Sequence, residues 1–240
     1  MKKYNYVSHN LSFCLSSSIV WPPTIPGYQL TFIRDNPVLE QKFLTSFLSA
    51  REITFIQSRT EPAAQRQCLL GRLAAKAAAG RRWNIPWEEI EILPGPSGEP
   101  LAIKINTEIR VGYISISHTS GAAIAAAAGE PVGLDVESRF RHLSDQAWKW
   151  AFKTEERGLA EEGADYYPTR LALWCAREAA AKSWGRGLLN HLNQVQVTQA
   201  DWPAGYLWIT WLGEKTRICE TSLLLQEEYL VALTRKNFYI

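Results

Sequence analysis

The chain runs to 240 residues, 46% of them hydrophobic and 21% charged, with a formal net charge of +2. That length supports one large domain or two modest ones around a substantial core, and so small a charge excess excludes a strongly basic nucleic-acid binder. No apolar run reaches the length of a membrane span, and Cys14, Cys68, Cys175 and Cys219 form no CxxC pair, which argues against a zinc site or disulfide framework and predicts a reduced, cytoplasmic setting.

Met1, Lys2 and Lys3 ahead of Leu11–Trp21 have the outline of a secretory signal. Ser12 and Ser16–Ser18 interrupt the apolar run, however, and no small-residue cleavage site follows, so a strand over about Leu11–Leu15 is expected instead. After the turn at Trp21, Pro22 and Pro23 comes a strand over Gln29–Ile33. Ser49 is an N-cap candidate with Glu52 at the capping-box position. A long helix over Pro62–Arg82 follows, Ala-rich from Leu69 to Ala79 and free of strand formers there. Glu89–Leu93 reads as a strand and Pro94–Pro100 as a turn. Three consecutive strands are expected over Tyr113–Ser117, Ala122–Ala128 and Val132–Val136, the middle one assigned against its alanine content because it is short and bounded by turns. Helices return over Leu143–Ala151, Thr154–Glu161 and Pro168–Trp184, and the tail is a meander of Gln194–Val197, Tyr206–Leu212, Cys219–Leu225 and Tyr229–Thr234. The ten tryptophans read as packing mass rather than stacking platforms.

The chain echoes itself. Leu70–Ile92 aligns without a gap on Cys175–Val197, so that Arg72 meets Arg177, Gly80 and Arg81 meet Gly185 and Arg186, and Ile92 meets Val197. Each half then holds a long helix, a Gly-Arg break and a strand. The expected fold is α+β, a pseudo-dimer of two similar halves divided at 1–112 and 113–240, each a long helix packed on an antiparallel sheet, with an active site at their interface. Only the second half has a carboxylate, Glu178, where the first has Leu73.

Three segments carry the chemistry. In Val132–Glu137 the carboxylates of Asp135 and Glu137 are two apart and share one face of a strand. They serve either as a solvated edge or, as the apolar Val132, Leu134 and Val136 favour, as a cation site. Glu178 and Lys182 are four apart on one helical face, either a surface ion pair or part of that site. Three hard oxygen ligands, Asp135, Glu137 and Glu178, suit Mg²⁺. Ser115-Ile116-Ser117-His118 ends a strand with hydroxyls and an imidazole that can donate to phosphate.

In combination and order these segments resemble the 4′-phosphopantetheinyl transferases of the large pseudo-dimeric type, over about Ser49 to Gly187. The resemblance implies transfer of phosphopantetheine from coenzyme A, as co-substrate, to a serine of an acyl or peptidyl carrier protein, with release of adenosine 3′,5′-bisphosphate. It implies that Asp135, Glu137 and Glu178 hold Mg²⁺ against the pyrophosphate, with Lys182 on the same phosphates. Ser117 and His118 would bind the 3′-phosphate side with Arg66, for which Arg59 and Arg72 are near alternatives. Gly98, Glu99 and Pro100 would form the adenine loop. Glu178 or Glu155 would take the serine proton, although Glu155 also suits a plain helix N-terminus. The first half would carry the nucleotide side of the cleft and the second the metal and catalytic carboxylates, in a monomer that needs neither nucleic acid nor membrane.

Two departures stand out. Glu99 occupies the place of a family Lys, reversing the charge beside the nucleotide, and Arg177 replaces a Lys next to Glu178. Glu99 keeps open a relative that binds coenzyme A or a carrier without turnover. The carboxylates alone would also suit another Mg²⁺-dependent phosphotransferase, although nothing resembles a P-loop or kinase loop. Carrier domains are acidic, so a basic patch is sought at Arg81, Arg82, Arg139, Arg141 and Arg186.

Overall fold

Two long helices are each followed by a run of strands, and each run closes into its own antiparallel sheet. The computed structural model describes residues 27–35, 45–213 and 216–239; the strand expected over Leu11–Leu15, and Cys14 with it, lies outside the described residues. The first sheet comprises β1 (Tyr28–Arg34), β2 (Ile90–Pro94), β3 (Pro100–Lys104), β4 (Ile109–Thr119) and β5 (Ala122–Ala128), with helices α1 (Ala50–Gln57) and α2 (Pro62–Trp83). The second comprises β6 (Gly133–Ser138), β7 (Val195–Asp201), β8 (Tyr206–Trp211), β9 (Arg217–Gln226) and β10 (Tyr229–Tyr239), with α3 (Asp145–Ala151), α4 (Thr154–Glu162) and α5 (Thr169–Ser183). Strand orders are β1-β5-β4-β3-β2 and β6-β10-β9-β8-β7, so both sheets lay the last strand beside the first and return as a meander. The chain is α+β, as its sequence predicts.

Period-two burial explains the layering. Ala123, Ala125 and Ala127 of β5 pack with Leu69, Leu73 and Ala78 of α2, while Ala122, Ile124, Ala126 and Ala128 pack with Leu134, Val136, Val231 and Leu233 of the second sheet. The other face of β10 (Leu230, Ala232) joins Cys175, Ala176 and Ala179 of α5. Helix, sheet, sheet and helix therefore stack as four layers, and β5, covered on both faces, can be apolar throughout. Its small alanines allow the layers to approach closely.

The expected division at 112/113 falls within β4 (Ile109–Thr119). β4 runs straight through it, and β4 and β5 pair within the first sheet. Of the three consecutive strands expected, β4 and β5 form a hairpin in the first sheet, and Gly129–Val132 crosses between sheets and delivers β6 to the second. β3 was not expected from the sequence.

Each half contains the same buried device. Glu52 closes a capping box with Ser49, as predicted; it also accepts from the Ile92 backbone N–H (3.0 Å) and pairs with the buried Lys76 (2.9 Å). Glu156 accepts from the Lys153 and Val197 backbone N–H groups (3.1 and 2.9 Å) and pairs with Arg177 at 3.6 Å. Ile92 and Val197 match the sequence echo, but the partner of Glu52 is Lys76, one helical turn beyond Arg72. No described helix is long and apolar enough to cross a membrane.

Candidate active site at the seam between the sheets

β6 is an edge strand, so part of its backbone has no ladder partner. β4 supplies the missing partners with side chains. Ser115 and Ser117, two apart and therefore on one face, accept through Oγ from the Leu134 and Val136 N–H groups (3.0 and 3.3 Å). Ser117 Oγ also donates to Asp135 Oδ1 at 2.7 Å, and Thr119 Oγ1 to Glu137 Oε2 at 3.1 Å. The first half thus holds both carboxylates of the second.

α5 reaches the same place because Gly133 allows it. A Cβ there would fall 1.7 Å from the Ala179 carbonyl oxygen, so strand and helix touch backbone to backbone. Lys182 Nζ then meets Asp135 Oδ1 (2.8 Å), the Leu134 carbonyl (3.1 Å) and Ser117 Oγ (3.3 Å). Burial alone would lower the Lys182 pKa, but Asp135 and Glu178 outweigh it and hold it above the ordinary lysine value. Burial raises the Glu178 carboxyl above its usual range; Lys182 opposes the shift and Asp135 adds to it. Cys175, fully buried, lies against Asp135, and burial first and that carboxylate second push its thiol well upward. Arg141 takes the remaining Glu137 oxygen.

Ser117 and His118, expected to act together, lie on opposite faces of β4. His118 instead lines a cavity of about 410 Å³ with Phe55, Arg59, Cys68, Arg72, Gly98 and Pro100. Partial desolvation against these walls, and then the charge of Lys182, lower its pKa below the usual imidazole range. Arg66 is engaged with Asp35, its Nη2 2.6 Å from Oδ1, while the alternatives Arg59 and Arg72 line the cavity. Gly98, at φ +84°, turns the loop. Glu99 folds back on that turn, accepting from the Ser97 N–H at 2.9 Å. It also borders a second cavity, of about 270 Å³, with Pro100, Arg110, Trp184 and Lys182.

Glu155, expected near the cluster, and Arg177, the departure noted beside Glu178, both stand apart from it. Glu155 is exposed in the first turn of α4, beside a cavity lined by Lys153, Glu156, Leu159 and Gln196. Arg177 is buried on the far side of α5, donating to the Ala151 carbonyl at 2.6 Å and also to that of Leu192. Of the basic residues sought, Arg141 is tied to Glu137 and Arg139 to the Glu227 carbonyl.

Among the described residues no three His, Cys, Asp or Glu side chains stand close enough to share a metal ion. Lys182 and Arg141 supply the positive charge that the adjacent carboxylates need. The donor chemistry nevertheless fits a hard divalent cation: Asp135 Oδ2 and Glu178 Oε2 are both buried without a hydrogen-bond partner. Thr119, Cys175 and Arg141 went unnoticed in the sequence as neighbours of these carboxylates; only Thr119 had a signal, the Ser115–Ser117–Thr119 alternation.

A family model described as the 4′-phosphopantetheinyl transferase superfamily matches residues 131–234, from the crossover through most of β10. A holo-[acyl-carrier-protein] synthase of Chlorobium limicola (strain DSM 245 / NBRC 103803 / 6330) is 35% identical over 95 residues, 35% of this chain and 73% of that protein. A protein of Synechocystis sp. (strain ATCC 27184 / PCC 6803 / Kazusa), assigned provisionally as a 4′-phosphopantetheinyl transferase, is 24% identical over 177 residues, 72% of this chain. The chain spans 65% of that relative's length.

Proposed function

The chain belongs to the 4′-phosphopantetheinyl transferase superfamily, and from that premise we propose that it moves 4′-phosphopantetheine from coenzyme A to a serine of an acyl or peptidyl carrier protein, releasing adenosine 3′,5′-bisphosphate. The observation that carries the reading is the pair of buried, unpartnered oxygens, Asp135 Oδ2 and Glu178 Oε2, beside the Lys182 ammonium. Asp135, Glu178 and, once released by Arg141, Glu137 would hold Mg²⁺, which when bound neutralises a diphosphate.

The chain's own groups do the rest. Lys182 is kept charged and adds electrostatic stabilisation where negative charge builds. Glu178, whose carboxyl is shifted upward, is the better placed base for the serine proton; Glu155 is exposed and apart from the cluster. His118, Arg59, Arg72, Gly98 and Pro100 would receive the nucleotide, and the turned-back Glu99 leaves its loop backbone to face the base. The shared strand order and the Glu52 and Glu156 devices support descent of the two halves by duplication. A cytoplasmic setting accords with free Cys68, Cys175 and Cys219, and a monomer is the simplest state for a chain that already carries two similar halves.

The test is to incubate the protein with coenzyme A, Mg²⁺ and several apo carrier proteins and to weigh the carriers. A gain of one phosphopantetheine is expected, and Asp135→Ala should abolish it, a loss of at least about a hundredfold. No gain on any carrier, with coenzyme A still bound, would favour the binding-only relative.

A further inference from the structure

Cys68 stands half-buried on α2, in the wall of the 410 Å³ cavity. One turn further on, Arg72 Nη1 lies 2.8 Å from the Cys68 sulfur, and the guanidinium sits over the Phe55 ring, 4.1 Å from its centroid. Arg72 is only 8% exposed, lines the same cavity, and its Nε is buried with no hydrogen-bond partner. Burial lowers its pKa, opposed by the nearby Cys68 and Glu52. A buried guanidinium held by an aromatic face and a thiol lacks a full anionic partner, and a thiolate or an anionic ligand would supply one. Arg59 lines the cavity too. The other described cysteines differ: Cys175 and Cys219 are buried, the latter with its thiol pushed up to about 12 by burial.

We propose that Cys68 is a covalent modification site, a thiol beside which Arg72 gathers small anionic disulfides for exchange, and that the attached group plugs the cavity. The Cys68 thiol first yields its proton to solvent. Its thiolate attacks one sulfur of the disulfide, a Cys68–sulfur bond forms, the original sulfur–sulfur bond breaks, and the departing thiolate takes up a proton. An added thiol reverses the exchange. The thiol chemistry is independent of the transferase reading, whereas the consequence for coenzyme A rests on it.

The native protein is treated with dithiobis(nitrobenzoate), an anionic disulfide, or with cystamine, a cationic one, and adducts are located by peptide mass mapping. Cys68 should react before Cys175 and Cys219, about tenfold faster with the anionic reagent than in the denatured chain. Arg72→Gln should lose that advantage and Arg72→Lys keep it. Even labelling of Cys68, Cys175 and Cys219, or an undiminished rate in Arg72→Gln, overturns the proposal. A variant that does not fold is replaced by salt titration of the wild-type protein. There the preference for the anionic reagent should fall with ionic strength, and a salt-independent rate overturns the proposal. Coenzyme A should slow the labelling, and the adduct should weaken coenzyme A binding until a thiol removes it. Should the unmodified chain bind no coenzyme A, the transferase reading fails while a mapped, Arg72-dependent adduct still upholds the site.

Discussion

His118 is the imidazole in the wall of the cavity that we propose receives the nucleotide. Desolvation, followed by the Lys182 charge, holds its pKa below the ordinary 6.5, so the ring is neutral at neutral pH. In the ligand-free protein a depressed imidazole contributes stability above its unfolded pKa and loses it as pH falls through the folded one. A phosphate bound beside the ring would favour the imidazolium and raise that pKa, so binding takes up a proton. Affinity for coenzyme A should therefore rise as pH falls from about 7.5 to about 5.5, by up to about tenfold per unit of restored pKa, and His118→Gln should flatten the profile. Calorimetry across that range checks it; affinity that drops on acidification would count against His118 as a phosphate donor. Strand and helix spacing place Asp135 with Glu137 and Glu178 with Lys182, and the structure brings Lys182 to Asp135. Ser117 and His118, adjacent on a strand, point to opposite faces, one to Asp135 and the other to the cavity. The sequence favours Arg66 over Arg59 and Arg72, and holds no sign that Asp35 engages it.

At the scale of elements, α5 is fixed from two sides. On one, Gly133 lets β6 lie directly against Ala179, which brings Lys182 to Asp135. On the other, Arg177 ties α5 to Glu156, to the end of α3 and to Leu192. Breaking a buried pair leaves the surviving charge uncompensated, so Arg177→Met should destabilise the fold by about 3–5 kcal/mol, read by urea denaturation. Gly133→Ala should act differently: its methyl must push strand from helix, so transfer should fall even under conditions where the variant remains folded. Unchanged activity in Gly133→Ala would mean that the close approach does not set the Lys182–Asp135 contact. Most elements were legible, including the Ala-rich β5, whose flanking turns outweighed its composition. β3 was not, because Pro100–Lys104 is short and follows directly on the turn, and its strand state is set by pairing with β2 and β4. Arg177 adjoins Glu178 in sequence yet turns away from the cluster, because adjacent positions on a helix sit about 100° apart.

The whole molecule depends on the sheet-to-sheet layer. Ala122, Ile124, Ala126 and Ala128 on one side and Val132, Leu134, Val136, Val231 and Leu233 on the other make one buried cluster. The Ser115, Ser117 and Thr119 hydroxyls join β4 to β6 beside it. The crossover belongs to this scale, since local pattern marks a turn at Gly129 and Pro131 but not which sheet the next strand enters. Cutting the chain there separates His118, Ser117 and the 410 Å³ cavity from Asp135, Glu137, Glu178 and Lys182. Each fragment alone would expose a continuous apolar sheet face, which is a strong drive to association, and would leave its share of the seam's hydrogen bonds unmade at about 1–3 kcal/mol for each buried group. Co-expressed fragments should therefore purify as one complex by sedimentation and transfer phosphopantetheine together, while neither does so alone. A second-half fragment that sediments as a stable monomer and modifies a carrier unaided would show that the first half neither covers the layer nor completes the site.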